Sequence, residues 1–452
     1  MKEDPRAGRI HFVGIGGIGM SALARYFNMV REGSLKWRVS GSDAMMRDVM
    51  RELKKEGIDV TVGHRQSNVR PSTDLVVYNR AIPQDNKELA AARELDIATL
   101  PYARVLGEIT KHYTTIAITG SHGKSTTTAM AGLMLMNAKR DPTILVGTKL
   151  RELAHENVRI GRGGYLVLEA DDYGAAFLEY FQKISIITNI DEEHVDFYGS
   201  FANTKKAFLK FLERTARGGA IIANADDPQI ALVKSRIAAI AKKRRAKLIW
   251  YSLRNPAVKK IRKAIRIAGE HNVSNAAAVY ALGRYLRFSE RAILDAIAAY
   301  RGAWRRMEFR GKFRGAPVFD DYAHHPTEIK ATLQAFRAQY PGKAIVCVFE
   351  PHLAKRLNAL YEKFTHAFEG ADYLLMLPIY KVSGREGARM PHDAKSLARS
   401  VRELHPEIDV RYVSDPKRLK RVIGSLPSPL ASSVIVMMGA GDIANQTKKF
   451  LD

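Results

Sequence analysis

The sequence holds a single cysteine, Cys347, among its 452 residues. Neither an internal disulfide nor a cysteine-based metal site can be built from it. It stands in the apolar run AIVCVF, which marks it as a buried structural thiol. Long uncharged apolar runs are missing too, since nothing approaches the ~18–20 residues needed to cross a bilayer. The opening stretch MKEDPRAGRI is charged, so it does not read as a secretory leader. There is no tandem repeat, no long Pro/Ser-rich linker, and no RRM, zinc-finger or KH signature. A cytoplasmic protein without a membrane segment is expected.

Positive charge, in contrast, is in excess. The chain carries 72 Lys and Arg against 47 Asp and Glu, a net charge of +25. Thirteen of the basic residues fall between Lys234 and Arg266, a stretch without one acidic residue. Such a stretch can be a solvated surface, a steering patch for polyanionic small substrates, or a nucleic-acid contact. With no recognition signature beside it, nucleic acid is not expected as a partner.

The apolar content, 46%, is ordinary for a globular protein, and the length suits two to four domains. From Arg9 the pattern alternates strand, turn, helix and strand, as in RIHFVGIG, MSALARYFNMV and WRVSGSD. It restarts at HYTTIAITG and continues through YLVLEADD, ISIITNIDEEH and GGAIIANADDP. A third series runs through APVFDDYAHHP, KAIVCVFEPH, ADYLLMLPIY and SSVIVMMGAGD. Apolar runs alternating with helical segments predict an α/β fold of mostly parallel sheets. Three domains in series are expected, at 1–112, 113–300 and 301–452. The polar clusters fall at the carboxyl ends of strands, where open α/β sheets bind ligands.

Two glycine turns carry the chemistry. In the first, Gly14, Gly16 and Gly19 form G-x-G-x-x-G after a strand, with Gly17 between them. The first glycine permits the tight turn, the second lets backbone N–H groups approach a pyrophosphate, and the third lets helix and strand pack closely. Asp43, 24 residues past Gly19, is placed to bond a ribose hydroxyl. The turn alone leaves NAD, another nucleotide diphosphate and a purely structural role open.

The second turn, TGSHGKST, is phosphate chemistry. Backbone N–H groups of Gly120, Ser121, His122 and Gly123 can cradle oxygens, Lys124 can place a charge between the β- and γ-phosphates, and the Ser125 hydroxyl can ligate Mg²⁺. Only Ser121 and His122 separate Gly120 from the Gly123-Lys124 pair, so this is a shortened P-loop. Glu169 in LEADDY and His194 in NIDEEHVDFYG stand at later strand ends, where either can reach a metal. Taken singly, His194 is an ordinary structural histidine.

Together these residues resemble the Mur ligases, ATP-dependent amide-forming enzymes of peptidoglycan precursor synthesis, over essentially the whole chain. GIGGIGMSALA and GSD look like the family's UDP-binding domain. TGSHGKSTTTAM, EADD, TNIDEEH and HNVSNA look like its central ATP-binding domain, and RRMEFRG, DDYAHHPTEI and FEPH like its C-terminal domain. The architecture implied is a Rossmann-like N-terminal domain, a P-loop-type ATPase domain and a Rossmann-like C-terminal domain. The activity implied is ligation of L-alanine to the lactyl carboxylate of UDP-N-acetylmuramate, ahead of a recycling member that adds a tripeptide. The NAD reading falls, because hydride transfer has no use for the second turn.

The resemblance also implies roles. Gly14, Gly16, Gly17, Gly19, Ser42, Asp43 and His64 would hold the UDP-sugar. Residues 120–126, ending at Thr126, would hold ATP with Asn272, Asn275, Arg306 and Asp321. Ser125, Glu169 and His194 would hold Mg²⁺, and Tyr322, His324 and Arg356 the amino acid. Lys124, Glu169, His194, Arg306 and His324 would be catalytic, and His325 is as readily structural. A monomer or homodimer is expected. Departures from the family pattern are Ser121 for Thr, Asn79-Arg80 for a Ser-Ser pair, Leu353 for Arg, and a shortened, basic stretch between Asp227 and His271. That shortening implies that part of a second sheet in the central domain is missing.

Overall fold

A computed structural model describes residues 8–451 apart from 33–34, 154–155, 381–389 and 428, so the charged opening stretch up to residue 7 lies outside the described residues. The backbone divides into two compact units. One holds residues 1–191, 205–260 and 275–300, and the other 192–204, 261–274 and 301–452. The chain is α/β in both, as its sequence pattern predicts.

The first unit carries two sheets. In one, five parallel strands run in the spatial order Asp59–Val62, Arg38–Asp43, Arg9–Val13, Leu75–Tyr78, Ala98–Pro101. Phe12, Val13, Val76 and Val77 are fully buried, consistent with helices covering both faces. The chain leaves Arg9–Val13 toward one side and later returns to the other, so the strand order reverses beside it. That reversal opens a crevice above its carboxyl end, where Gly14–Gly17 lie.

The second sheet has seven strands in the order Glu156–Arg159, Thr143–Leu150, Tyr165–Glu169, Thr114–Thr119, Ile184–Ile187, Ala220–Asn224, Lys247–Tyr251. Only the first pair is antiparallel. Thr114–Thr119 is central and ends in the second glycine turn, with Glu169 and Thr188 at the ends of its two neighbours. The basic stretch forms helix Lys234–Arg244, edge strand Lys247–Tyr251 and helix Val258–Ala264. Among the described residues, 113–300 carry this one sheet and no second one.

Arg25 ties the two sheets of this unit together. It is 1% exposed, yet its guanidinium reaches Glu56 at 2.8 Å, Glu52 at 3.3 Å, Glu156 at 3.1 Å and Asn157 Oδ1 at 2.9 Å. Asn157 in turn donates to the Ile18 carbonyl at 2.7 Å. A buried cation of this kind is held only by its acceptors. Arg25→Met is expected to cost about 2–3 kcal/mol in urea unfolding, below a fully buried break because the three carboxylates stay 32–36% exposed. A loss under about 0.5 kcal/mol would mean the cluster contributes no more than a surface pair.

The second unit is built on six strands in the order Glu308–Phe313, Ala316–Asp321, Ser433–Met438, Ala344–Phe349, Tyr373–Met376, Asp409–Tyr412, parallel except for the first hairpin. Side chains alternate across it. Ile345, Cys347 and Phe349 join one apolar layer with Phe336 and Phe368, and Val346 and Val348 join the other with Ile435 and Met437. Cys347 is fully buried, as expected, and burial pushes its thiol pKa up.

Candidate active site

The first glycine turn is braced from the next strand. The N–H groups of Gly14 and Ile15 both donate to the Ser42 carbonyl, at 2.8 and 2.9 Å. Gly16 N–H donates to Asp43 Oδ2 at 3.0 Å, and a Cβ at Gly16 would lie 2.7 Å from that oxygen. Only glycine fits there, and the reason is Asp43. Expected as a ribose ligand, Asp43 in this structure holds the turn, with Arg47 3.6 Å away. The close approach at Gly19 is to Tyr102, whose hydroxyl lies 3.0 Å and ring 3.1 Å from a built Cβ, and not to a strand as the motif suggests. Gly17 caps helix Ile18–Met29 without a side-chain partner, leaving its N-terminal N–H groups for an anion. At the departures at 79–80, Asn79 accepts from Ala81 N–H and Arg80 donates to the distant Gly174 carbonyl.

Ser42 and His64 meet at a carboxylate that the motifs do not reveal. Ser42 donates to Glu88 Oε2 at 2.6 Å, and His64 Nδ1 lies 3.0 Å from Ser42 Oγ and 3.1 Å from Glu88 Oε2. Asn68 donates to the other Glu88 oxygen, and His11 Nε2 stands 3.8 Å off. Glu88 is fully buried. Burial alone would raise its pKa, but nearby His11 together with the bonds from Ser42 and Asn68 lowers it to about 2 from 4.5. Because the folded value is the lower one, this stability is present above about pH 4.5 and is lost as pH falls toward 2.

The second turn is built for phosphate. Gly120 has φ +141° and a Cβ there would stand 2.0 Å from Thr188 Oγ1; Gly123 has φ +81° and a Cβ would stand 2.4 Å from Asn275 Oδ1. Asn275, expected at ATP, therefore packs directly on the loop. Ser121 Oγ accepts from Asp191 N–H at 2.8 Å, His122 N–H donates to Asn189 Oδ1 at 2.8 Å, and His122 Nε2 lies 2.9 Å from Asp191 Oδ2. Helix Lys124–Asn137 starts at the loop with no side-chain cap, and Thr126 is buried in its first turn. Lys124 Nζ donates to the carbonyls of Gly120 and Ser121 at 2.6 and 3.0 Å and to Asp172 Oδ1 at 2.8 Å. Ser125 Oγ donates to Glu169 Oε1 at 3.0 Å, and Gly147 N–H donates to Oε2 at 2.6 Å. Burial raises the Glu169 pKa, with those bonds and the Lys124 charge opposing.

The remaining predicted residues lie in the second unit. His194 has φ +55°, and its carbonyl accepts from the N–H groups of Phe197 and Tyr198 at 2.9 and 3.0 Å. Asn272 donates to the Ala268 carbonyl at 2.6 Å. Asp321 turns inward: Oδ2 accepts from Met307 N–H, and Oδ1 from Ala323 N–H and Thr332, which makes it a brace in this structure. Arg306 stands 5.3 Å over the Tyr322 ring and 3.7 Å from Glu328. Arg356 donates to Glu193 Oε1 at 2.9 Å, and His324 Nε2 is 3.5 Å from the same oxygen. Burial would raise the Glu193 pKa, but His324, Arg356 and His194 outweigh it and hold this carboxyl well below the ordinary range. His324 and Arg356 thus meet at Glu193, an acid that the motifs did not single out, and the Tyr322 ring lies beside His324 with centroids 5.3 Å apart. His325 Nδ1 accepts from Thr327 N–H and caps helix Pro326–Gln339.

Comparison with known proteins agrees with this geometry. Residues 9–114 match the family model for the Mur ligase catalytic domain, 118–283 the Mur ligase middle domain, and 305–441 the Mur ligase glutamate ligase domain. A UDP-N-acetylmuramate–L-alanine ligase of Aquifex aeolicus is 33% identical over 99% of this chain and 98% of its own. One of Desulfosudis oleivorans is 37% identical over 97% and 96%. The crystal structure of a UDP-N-acetylmuramate-alanine ligase from Thermotoga maritima superposes with a TM-score of 0.76 at 27% identity, covering 98% of each chain. A murein peptide ligase from Psychrobacter arcticus, 21% identical with a TM-score of 0.69, shares the fold. With both glycine turns, the strand-end acids and three successive domain matches in place, the chain belongs to the Mur ligase family.

Proposed function

We propose that this chain is an ATP-dependent ligase that joins L-alanine to the lactyl carboxylate of UDP-N-acetylmuramate in peptidoglycan precursor synthesis. The observation that carries it is the end-to-end match, at 33–37% identity, to curated UDP-N-acetylmuramate–L-alanine ligases. The carboxylate attacks the γ-phosphate of ATP to give an acyl phosphate and ADP. The alanine amine then attacks the acyl carbon, and phosphate leaves. Both steps build negative charge, so fixed cations and backbone donors are the chief requirement.

In this reading the turn at Gly14–Gly17 takes the diphosphate of the sugar nucleotide, and residues 120–126 take ATP. Lys124 exchanges its contacts with Asp172 and the loop carbonyls for the transferring phosphoryl group. Arg356 grips the amino-acid carboxylate beside Tyr322 and His324. Ser125 and Glu169 offer hard oxygens 3.0 Å apart, a donor set that fits Mg²⁺. The family resemblance adds His194, a weaker donor for that ion. When bound, Mg²⁺ would neutralise phosphate charge. The need for ATP and a nucleotide sugar supports a cytoplasmic location. Among the described residues no helix is long and apolar enough to cross a membrane.

The test is phosphate release from ATP and Mg²⁺ with UDP-N-acetylmuramate and each amino acid in turn. Release is expected to require both the sugar nucleotide and L-alanine. Silence with every amino donor would sink the proposal, and release that needs a tripeptide would move it to the recycling activity.

A further inference from the structure

Glu88 is a fully buried carboxylate in helix Lys87–Glu94, close to the first glycine turn and with no place in the chemistry described so far. Taking a carboxylate out of water costs several kcal/mol unless donors replace the lost hydration. Four side chains converge on this one: Ser42 from strand Arg38–Asp43, His64, Asn68, and His11 from strand Arg9–Val13. Two of them, Ser42 and His64, are residues that the motifs assign to the nucleotide sugar. An apolar residue at 88 would fill the same space without that cost, so what the acid adds is orientation and charge.

We propose that Glu88 is a positioning residue of the nucleotide-sugar site, holding His64 through Nδ1 and Ser42 through its hydroxyl so that His64 Nε2 is the nitrogen offered to the ligand. The inference rests on the reading that the first turn binds UDP-N-acetylmuramate. An ionised carboxylate only accepts, so the Nδ1 beside it carries a proton. With Nδ1 fixed against Glu88, Nε2 is the nitrogen left to meet a hydrogen-bonding group of the nucleotide sugar. Among the described residues, His11, Asn68 and Ser42 are the other polar side chains recorded facing this carboxylate.

Glu88→Gln keeps the shape and removes the charge. It is expected to raise the KM for UDP-N-acetylmuramate about tenfold, the worth of one charge-assisted bond, with kcat and the KM for ATP unchanged. The Glu88→Gln/His64→Gln double variant should be no worse than His64→Gln alone. Nitrogen-15 NMR of the unmodified chain should find His64 Nδ1 protonated at neutral pH, with that tautomer preference weakened in Glu88→Gln. Unchanged KM in Glu88→Gln, losses that multiply in the double variant, or an unprotonated Nδ1 would each overturn the inference. The NMR result stands even if Glu88→Gln does not fold. Failure of the unmodified chain to bind UDP-N-acetylmuramate in calorimetry would overturn the functional reading and this inference together. Tight binding that Glu88→Gln leaves intact overturns this inference alone.

Discussion

Lys124→Ala is expected to lower kcat by about a thousandfold while leaving UDP-N-acetylmuramate affinity within twofold. The ammonium group is the side-chain cation placed on the phosphate loop, and no neighbour in that loop can replace a point charge on the transferring phosphoryl group. The nucleotide sugar, in contrast, is assigned to a turn on a different sheet, after Arg9–Val13. Lys124 also pairs with Asp172, which is fully buried, so the single variant takes the Lys124 ammonium away from a buried carboxylate. Lys124→Ala/Asp172→Asn removes that side effect. It should recover any lost stability but none of the lost turnover. Turnover within tenfold of the unmodified chain, in a variant that folds, would remove Lys124 from the chemistry. Joint loss of turnover and sugar-nucleotide binding would argue against two separate cradles.

Gly120→Ala is expected to destabilise the first unit by about 2–5 kcal/mol, adding backbone strain to overpacking. The backbone at φ +141° is one that residues with a Cβ rarely adopt, and the new methyl would stand 2.0 Å from Thr188 Oγ1. Relief by moving Thr188 is blocked, since its hydroxyl donates to the His122 carbonyl at 2.7 Å and so shapes the same loop. Thr188→Gly in the Gly120→Ala background should recover the steric part and leave the φ penalty. Urea unfolding and ATP titration report the two consequences. A Gly120→Ala chain as stable as the original, with full ATP affinity, would show that this loop conformation is not required.

Several features were legible in the residues because they are local. A strand, a glycine and a helix N-terminus lie within six or seven consecutive positions, so both anion cradles can be read directly from GIGGIG and TGSHGKST. Helix and strand order followed from apolar periodicity, and the lone cysteine was readable as buried from its run of neighbours. The basic stretch gave only its charge. In the fold it supplies an edge strand and two helices, and some of its cations find acids outside it, as Lys260 does with Glu290 at 2.7 Å.

The roles of the acids were not legible. Asp43 and Asp321 look like ribose or water ligands by position, yet each is engaged with backbone N–H groups that hold a turn. Glu88 lies outside the motifs, and Asp172 in EADD and Glu193 in TNIDEEH were given no role there, yet each is the acceptor that meets a residue assigned one.

The sequence by itself determined the two glycine turns, the alternating α/β order and the family, since each depends on neighbours within a few positions. Tertiary structure alone decided which carboxylate meets which donor. The partners come from 27 positions away for Gly16 and Asp43, 46 for Ser42 and Glu88, and 163 for Arg356 and Glu193. An acid's charge state and task follow from the donors and burial around it, and those exist only once the strands are in register.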